Sequence, residues 1–339
     1  MEFLFEYGLF LAKIVTVVVA LAVLVVIAAA AGKSGAKNKG SLKLIDLTDT
    51  FEGYKAQLQQ YLLSDDELKA LAKEEKAKAK QQAKESKGQA RQGRLFVIDF
   101  KAGIDAAQVA NLREEISALL TVADKDKDEL LVKVESGGGM VHAYGLAASQ
   151  LDRVRQAQIP MTIAVDKVAA SGGYMMACVA NKVIAAPFAI VGSIGVIAQL
   201  PNFNKVLKKN DIEFEMHTAG DFKRTITMFG ENTDEGREKF KQELEHTHQL
   251  FKSFVSRYRP ELDIATVATG EHWFGQQALE LGLVDELATS DDFLMRADKP
   301  IVQLQYQQKQ NLAQKLGRGA EAVVERSMLK LSELANRSH

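Results

Sequence analysis

The sequence predicts an α/β domain built on mainly parallel strands. From residue 94 onward, short apolar runs alternate with segments of helical periodicity, and this alternation indicates strands joined by right-handed helical crossovers. Glycine clusters follow two of the predicted strands, as expected where a strand turns sharply into a helix. The chain has 339 residues, of which 47% are hydrophobic, so it is long enough for about two domains and is neither disordered nor collagen-like.

The predicted elements follow one another in chain order. The strands are predicted at 95–100, 130–136, 161–166 and 182–186. The helices are predicted at 106–120, 145–156, 172–179 and 234–258. Apolar side chains recur at helical spacing in the last of these helices, which is typical of an amphipathic helix packed on a core.

An apolar segment near the start predicts a membrane anchor. Residues 14–31 run without a charge, and as a helix they would span roughly 27 Å, the thickness of a bilayer core. The small residues at 28–31 leave a cleaved secretory signal as the alternative. The run is longer than the about 7–15 apolar residues of such signals, and the acidic Glu2 and Glu6 precede it. We therefore predict an uncleaved, single-pass anchor.

The segment that follows the apolar run is polar and rich in lysine. A Gly- and Lys-rich tether leads to a predicted exposed helix, in which Ser64 and Glu67 have the spacing of a capping box. Residues 73–94 carry a local surplus of positive charge, which we interpret as a solvated helical face rather than a lipid or nucleic-acid site. The formal net charge of −1 gives no whole-chain support for nucleic-acid binding. No nucleic-acid partner is expected.

Two glycine-rich turns carry the candidate chemistry. Ser136-Gly137-Gly138-Gly139 follows one predicted strand, and Ser171-Gly172-Gly173 follows the next. Glycines let backbone amides approach a ligand closely, and a helix that begins there directs more N–H groups at the same place. Such an arrangement suits a developing oxyanion. An ordinary turn and a helix N-cap at Ser171 are the structural alternatives.

Other site classes have little support in the sequence. It contains neither of the glycine-rich phosphate-binding patterns, GxxxxGK[ST] and GxGxxG, and no HExxH zinc motif. The single cysteine, Cys178, forms neither an internal disulfide nor a thiolate cage. We expect no metal ion and no organic cofactor.

A serine nucleophile needs a base, and the residues leave two kinds open. The histidines His142, His217 and His272 stand in no local motif that assigns them to a Ser-His-Asp triad. A lysine serves as a base only where burial lowers its pKa by about three units from near 10.4. Lys223, in the segment GDFK, is a candidate because a glycine turn and an aromatic neighbour could carry it into a partly apolar cleft. A solvent-facing lysine is the alternative.

Four segments together resemble a known family. They are ASGGY at 170–174, VGSIGV at 191–196, GDFK at 220–223 and WFGQQALELGLVD at 273–285. In combination they are similar to the signal peptide peptidase A family of bacterial Ser-Lys peptidases, over about residues 94–287. The single peptidase unit behind an anchor and a Lys-rich segment indicates one branch of that family.

The resemblance implies a role for each site residue. Ser171 would be the nucleophile, Lys223 the general base, and Ser193 the serine that orients the lysine amine. The Gly172 amide and one amide of Gly138 and Gly139 would form the oxyanion hole. This chain has glycine where the family often has proline in Ser-Pro-Gly-Gly, which leaves the second oxyanion donor open.

The resemblance also implies a fold and a domain order. The expected fold is the crotonase/Clp-like fold of β-β-α superhelical turns, preceded by a transmembrane helix and a charged helical segment. The expected domains are a membrane anchor at 1–32, a linker and Lys-rich helix at 33–93, the Ser-Lys peptidase domain at 94–290, and a helical, oligomer-forming extension at 291–339.

The function implied is that of a membrane-anchored serine endopeptidase. Its substrates would be short or unfolded peptides such as residual signal peptides, and its partners the lipid bilayer, through residues 14–31, and further copies of the chain. The resemblance favours the periplasmic face of a bacterial inner membrane, whereas the lysines after the apolar run favour the cytoplasmic face. A crotonase-type acyl-CoA enzyme and an inactive membrane scaffold are the alternatives.

Overall fold

The computed structural model describes residues 10, 13–14, 40–85 and 92–308. The chain divides into two units, 1–41 with 307–339 and Leu42–Tyr306, and the sheets and helices described below belong to the second unit apart from the terminal residues of two strands. The apolar run predicted as the anchor lies outside the described residues except for Ile14, and so does the predicted C-terminal extension beyond residue 308. No helix in the described part of the chain is both long enough and apolar enough to cross a bilayer. The anchor therefore stays a prediction.

The described elements alternate between strands and helices. The strands are β1 Ser41–Asp46, β2 Leu95–Lys101, β3 Glu129–Glu135, β4 Met161–Val165, β5 Val168–Ala170, β6 Lys182–Ala185, β7 Ile190–Gly192, β8 His272–Phe274, β9 Glu286–Leu287 and β10 Ile301–Gln307. The helices are α1 Leu47–Leu62, α2 Asp65–Glu85, α3 Val109–Leu120, α4 Val141–Gln156, α5 Gly172–Ala177, α6 Asn204–Lys209, α7 Asp234–Tyr258, α8 Ile264–Val267, α9 Gly275–Glu280 and α10 Ser290–Met295.

A seven-stranded sheet forms the centre of the unit. Its order is β1-β10-β2-β3-β4-β6-β9, and neighbouring strands from β10 to β9 are parallel. Leu131, Ile163 and Ile184 are fully buried, as expected of parallel strands that are covered on both faces and therefore consist of continuous apolar runs. The predicted α/β class with a parallel sheet is confirmed.

A second, three-stranded sheet stands beside the ends of the first and was not predicted. Its order is β5-β7-β8, with β5 and β7 parallel and β7 and β8 antiparallel. Ser136, just after β3, pairs with Ala169 of β5 in a parallel bridge. The second sheet therefore brings the C-terminal ends of strands β3, β5 and β7 close together. Ser136, Ser171 and Ser193 are the residues that directly follow these strands.

Helices cover the main sheet and create two apolar clusters. The larger cluster includes buried side chains of α3, α4, α5 and α7. The smaller cluster, on the other sheet face, includes Val97, Leu131 and Leu294 and is covered in part by Phe51 of α1. Strand β10 belongs to the segment predicted as the C-terminal extension, yet it pairs with β2 inside the sheet. The domain boundary at residue 290 stays a prediction, and β10 adds a strand beyond it.

Three helices can be compared directly with their predicted positions. The exposed helix predicted after the tether is present as α2, and the Ser64 N–H donates to Glu67 Oε2 at 2.8 Å as the capping-box spacing predicted. Helix α7 has the predicted bounds. In contrast, α4 begins at Val141, four residues before the predicted start.

Residues 197–232, called the arm below, contain one short helix, α6. Much of the arm is exposed. Its exposed apolar side chains are Ile197, Leu200, Phe203, Val206, Ile212, Phe214, Met216, Phe222 and Phe229. The arm thus presents an apolar surface to solvent, in contrast to the buried sheet from which it extends.

Candidate active site

Ser171 occupies a strained turn between β5 and α5. Its φ is 52°, a left-handed conformation that is costly for a residue with a side chain. The Ser171 N–H donates to the Gly192 carbonyl at 2.8 Å, and its own carbonyl accepts from the Met175 N–H at 2.9 Å. These backbone bonds hold the turn in place and leave the Ser171 side chain half-buried.

Gly172 follows at the first position of α5, packed against Tyr144 of α4. A Cβ at Gly172 would overlap Cγ of the Tyr144 ring, so only glycine fits. The Gly172 amide belongs to the first turn of a helix, where N–H groups have no carbonyl partner within the helix. It is therefore free of the helix ladder and lies beside Ser171.

The triple-glycine turn lies directly against the serine. Gly138 has φ of 88°, and a Cβ there would lie 2.7 Å from both the Gly172 nitrogen and Ser171 Cβ. A Cβ at Gly139 would overlap the carbonyl of Ile104. The Gly138 N–H donates to Ser136 Oγ at 3.1 Å. The structure thus places both predicted oxyanion segments next to the predicted nucleophile.

A cavity of about 360 Å³ opens beside these groups. Gly139, Ser171 and Gly172 lie in its wall. The apolar part of the wall consists of Val141, Met175, Val196, Leu250, Phe251 and Phe254. A site with a few polar atoms at one side of a mostly apolar cavity can hold one apolar side chain of a ligand while a neighbouring polar group faces Ser171.

Ser193 directly follows Gly192, whose carbonyl accepts the hydrogen bond from the Ser171 N–H. Its φ is 51°, its N–H donates to the Glu271 carbonyl at 2.7 Å, and its Oγ donates to the Gly270 carbonyl at 3.4 Å. The structure therefore brings Ser193 close to the nucleophile turn, with its hydroxyl engaged by backbone.

Lys223 differs from the sequence expectation. The side chain is exposed in the arm rather than in an apolar cleft, and Lys223 is not among the described residues that line the cavity. Its neighbour Phe222 contacts the Lys239 ammonium of α7, with 5.0 Å from Nζ to the ring centroid. The physical reason is that Lys223 lies in a stretch of the arm, residues 208–224, that is exposed throughout, so the described chain leaves its side chain open to solvent.

Two polar residues of the site were not predicted from the sequence. Ser136 Oγ is hydrogen-bonded to the Tyr144 hydroxyl, and that hydroxyl donates to the Gly103 carbonyl at 2.6 Å. Burial raises the pKa of Tyr144, so the phenol stays protonated. The serine was visible at the start of its glycine run, but no local signal marks Tyr144, which lies in an ordinary helical pattern.

Metal and thiol chemistry find no support in the described residues. Among them, no three His, Cys, Asp or Glu side chains are grouped so that they could hold a metal ion. Burial raises the pKa of Cys178 to about 12, so this thiol is not a nucleophile at neutral pH. The cavity wall contains the hydroxyls of Ser171, Ser149 and Thr247. Ser149 and Thr247 donate to backbone carbonyls of their own helices, whereas Ser171 lies in a strained turn beside the glycine segments, which is the setting expected of the nucleophile in a serine-type hydrolase.

Comparison with protein families narrows this class. Residues 2–151 match the model described as Peptidase family S49 N-terminal, and residues 153–305 match Peptidase family S49. The chain belongs to peptidase family S49, and it is a serine-type peptidase. The resemblance seen in the four sequence segments is confirmed.

Curated relatives agree over most of the chain. A protein of Haemophilus influenzae named "Probable protease SohB" is 49% identical over an alignment of 331 residues that covers 94% of each chain. A protein of the same name from Buchnera aphidicola subsp. Acyrthosiphon pisum is 46% identical and covers 98% of each chain. SohB is the branch that the single peptidase unit indicated.

Solved structures give a weaker match. The chain is similar to a lysine-to-alanine mutant of 1510-N, a membrane-bound stomatin-specific protease, in complex with a substrate peptide. The identity is 12%, the TM-score is 0.42, and the match covers 67% of this chain and 97% of that one. Membership of the family is therefore based on the sequence matches.

Proposed function

We propose that this chain is a membrane-anchored serine endopeptidase that cleaves short or unfolded peptides through a Ser171–Lys223 dyad. One observation carries the proposal: Ser171 lies in a strained turn, against two glycine segments, at the wall of an apolar cavity. A strained turn that exposes a hydroxyl beside free amides is what acyl transfer requires.

The proposed reaction proceeds through an acyl-enzyme. Neutral Lys223 takes the Ser171 hydroxyl proton while Oγ forms a bond to the peptide carbonyl carbon. The carbonyl oxygen becomes an oxyanion, and the ammonium of Lys223 then gives its proton to the leaving amine as the C–N bond breaks. Water, deprotonated by Lys223, hydrolyses the resulting ester and restores Ser171.

The two amides that stabilise the oxyanion are assigned to Gly172 and Gly139. The Gly138 N–H already donates to Ser136 Oγ, and Gly138 is not among the described cavity-lining residues, whereas Gly139 is. Removing one such donor typically costs about 100- to 1,000-fold in kcat. The choice between the two glycines, which the sequence left open, thus falls on Gly139.

Self-association would complete the base side of the site. A lysine acts as a base only when water is kept away from its amine, and Lys223 is exposed in the single chain. The arm that carries it exposes a set of apolar side chains, which a second copy of the chain would cover. We therefore propose a homo-oligomer in which the arm is buried and Ser193 helps to orient the Lys223 amine.

The substrate class follows from the cavity. A wall with Met175, Phe251 and Phe254 favours an apolar side chain next to the cleaved bond. Extended peptides can pair with exposed backbone in the manner of an added strand. Residual signal peptides, which are apolar and unfolded once released, have the required properties.

The finer fold and the location belong to the same proposal. Strands β4 and β5 followed by α5 form a β-β-α unit, and β6 and β7 repeat its first two elements, which supports the crotonase/Clp-like fold. Residues 14–31 would anchor the chain in a bacterial inner membrane with the peptidase domain at the periplasmic face. Labelling of a cysteine introduced at Gly40, in a Cys178→Ala background, tests the orientation: protection from an outside reagent contradicts it.

Peptide digestion followed by mass spectrometry tests the dyad. We expect Ser171→Ala and Lys223→Ala each to lower the rate of cleavage at least about 1,000-fold. Ser149→Ala, a second serine in the cavity wall, and Lys205→Ala, a second lysine of the arm, are matched controls that should retain cleavage. Wild-type rates in Ser171→Ala would refute the nucleophile. Binding of coenzyme A, with cleavage absent, would favour the acyl-CoA alternative.

A further inference from the structure

We propose that Ser136 and Tyr144 are positioning residues that fix the oxyanion-stabilising amides before the substrate binds. The inference rests on the proposed function and adds to it roles for Ser136, which begins the glycine turn, and for Tyr144, which no motif indicates. Neither residue is among the described residues that line the cavity, so they act through Gly138, Gly139 and Gly172.

A directed chain of hydrogen bonds connects the glycine turn to the loop after β2. The Gly138 N–H donates to Ser136 Oγ at 3.1 Å, and Ser136 Oγ is bonded to the Tyr144 hydroxyl. The Tyr144 hydroxyl donates to the Gly103 carbonyl at 2.6 Å. Each hydroxyl carries one hydrogen, and that of Tyr144 goes to Gly103. Ser136 must therefore donate to Tyr144, and every bond of the chain points the same way.

The ring of Tyr144 holds the other amide by contact. It packs so closely on Gly172 that a Cβ there would overlap it. Phe100 of β2 supports the ring with an edge-on contact, at 6.4 Å between ring centroids. Tyr144 is fully buried. The Tyr144 side chain thus contacts Gly172 directly. Through its hydrogen bond with Ser136 it also restrains Gly138 and the Gly139 amide that follows.

The turn needs such support because of its sequence. Three consecutive glycines have more conformational freedom than any other tripeptide, and Gly137 lacks the restraint that a proline would impose. Amides stabilise an oxyanion efficiently only when they are oriented in advance, within about 0.5 Å. The hydroxyls of Ser136 and Tyr144, bonded to the Gly103 carbonyl, supply the restraint that a proline ring in the turn would otherwise give.

The consequence is a specific kinetic signature. A loosened turn weakens interactions that form in the transition state, while contacts of the bound substrate with the apolar wall remain. We therefore expect kcat to fall roughly 10- to 100-fold in Tyr144→Phe and in Ser136→Ala, with KM changed less than about twofold. The affinity of a peptide aldehyde, which forms a tetrahedral adduct with a serine, should fall in parallel with kcat.

A double variant tests whether Ser136 and Tyr144 act through the same chain of hydrogen bonds. If both hydroxyls act through the same chain, Tyr144→Phe with Ser136→Ala should lower kcat no further than the more severe single variant. Tyr258→Phe is the matched control, because its hydroxyl is hydrogen-bonded to Asp152 Oδ1 at 2.7 Å, away from the glycine turn. This control should retain the wild-type kcat.

The outcomes separate this inference from the proposed function. Full cleavage by Ser171→Ala overturns the proposed function. An inactive Ser171→Ala, together with Tyr144→Phe and Ser136→Ala at the level of Tyr258→Phe, overturns the positioning role alone. A rise in KM at unchanged kcat also overturns it. If thermal unfolding shows that Tyr144→Phe does not fold, Ser136→Ala, which removes a smaller group, decides by the same kinetic criterion.

Discussion

The two halves of the proposed site are held in different ways. Around Ser171, glycines lie in contact with other backbone, and Tyr144 fills the space behind them. Around Lys223, the arm exposes lysine and aromatic side chains, and half of Phe222 is accessible to solvent. In the proposed site, the single chain thus holds the segments assigned to the oxyanion in place, whereas the segment assigned to the base would need a partner surface to exclude water.

The arm is nevertheless ordered by contacts with itself. The Phe203 N–H donates to the Met228 carbonyl at 2.7 Å, and Asn204 Nδ2 donates to the Phe229 carbonyl at 2.8 Å. The rings of Phe203 and Phe229 stack with centroids 6.1 Å apart. Such a segment can keep its own shape while it contributes little to the core, as expected of a surface that associates with another molecule.

The largest expected effect on activity concerns the glycine segments around Ser171. In Gly172→Ala, the added methyl group overlaps the Tyr144 ring, so the Gly172 amide must move away from the oxyanion position. We expect kcat/KM to fall about 100- to 1,000-fold. Gly145→Ala is the control, because Gly145 lies in the same cavity wall with open space around its Cβ position. A Gly172→Ala enzyme within tenfold of the wild-type kcat/KM would show that this half is not rigid.

The next effect tests the arm. Ile197 and Val206 are largely exposed, so replacing both with serine should leave the single chain folded but weaken association between copies. We expect the specific activity at low protein concentration to fall roughly 10-fold or more and to recover at high concentration. Sedimentation measures the association directly. Met295→Ser, an exposed apolar residue outside the arm, should change neither quantity, and unchanged sedimentation of the double variant would contradict the proposed interface.

A third, smaller effect concerns two ion pairs, one that packs against the core and one in the arm. Arg259, whose side chain is 12% exposed, forms two hydrogen bonds with Asp285 at 2.8 Å each. Asp285→Asn leaves the guanidinium without its counter-charge, and we expect a loss of about 2 kcal/mol in the free energy of unfolding. The loss is smaller than for a fully buried pair because Asp285 is about a third exposed. In the arm, Lys208 and Glu231 pair at 2.9 Å in solvent.

Urea unfolding measures the difference between these pairs. Glu231→Gln should leave stability unchanged within the precision of the measurement, because exposed pairs contribute little. Equal losses from Asp285→Asn and Glu231→Gln would show that the arm is integrated with the core more tightly than its contacts indicate.

Sequence periodicity predicted the parts of the fold that are long and regular. The parallel strands β2, β3 and β4 and the helix α7 follow from apolar runs and helical spacing. The second sheet was not predicted because β5, β7 and β8 have three residues each, too few for a periodic pattern. Short strands of this kind depend on pairing with distant residues, which a local pattern does not contain.

The same distinction applies to the site. Glycine clusters after predicted strands indicated a close approach of backbone amides to a ligand, and the family resemblance implied that Ser171, Gly172 and the triple-glycine turn would meet there. The role of Tyr144 depends on a contact with Gly103, 41 residues earlier, and was not accessible to local reasoning. The exposure of Lys223 likewise results from the packing of the whole arm.

The last expected effect concerns the core alone. Glu115 of α3 is 5% exposed, and its Oε1 accepts from the Tyr306 N–H of β10 at 2.7 Å. Burial raises the pKa of Glu115 from 4.5 to about 7. Because the folded state holds this proton more tightly than the unfolded state, the contribution to stability is fully present below about pH 4.5 and is lost as the pH rises through 7.

Glu115→Gln should remove this pH dependence. Between pH 5 and pH 8 we expect the wild-type free energy of unfolding to fall by up to about 2 kcal/mol more than that of Glu115→Gln, measured by urea unfolding across that range. The neighbouring Glu114→Gln is the control, because Glu114 is exposed on the same helix, and this variant should keep the wild-type pH profile. Identical pH profiles for wild type and Glu115→Gln would mean that the carboxyl is ionised in the core at neutral pH, and the hydrogen bond from Tyr306 would then outweigh burial.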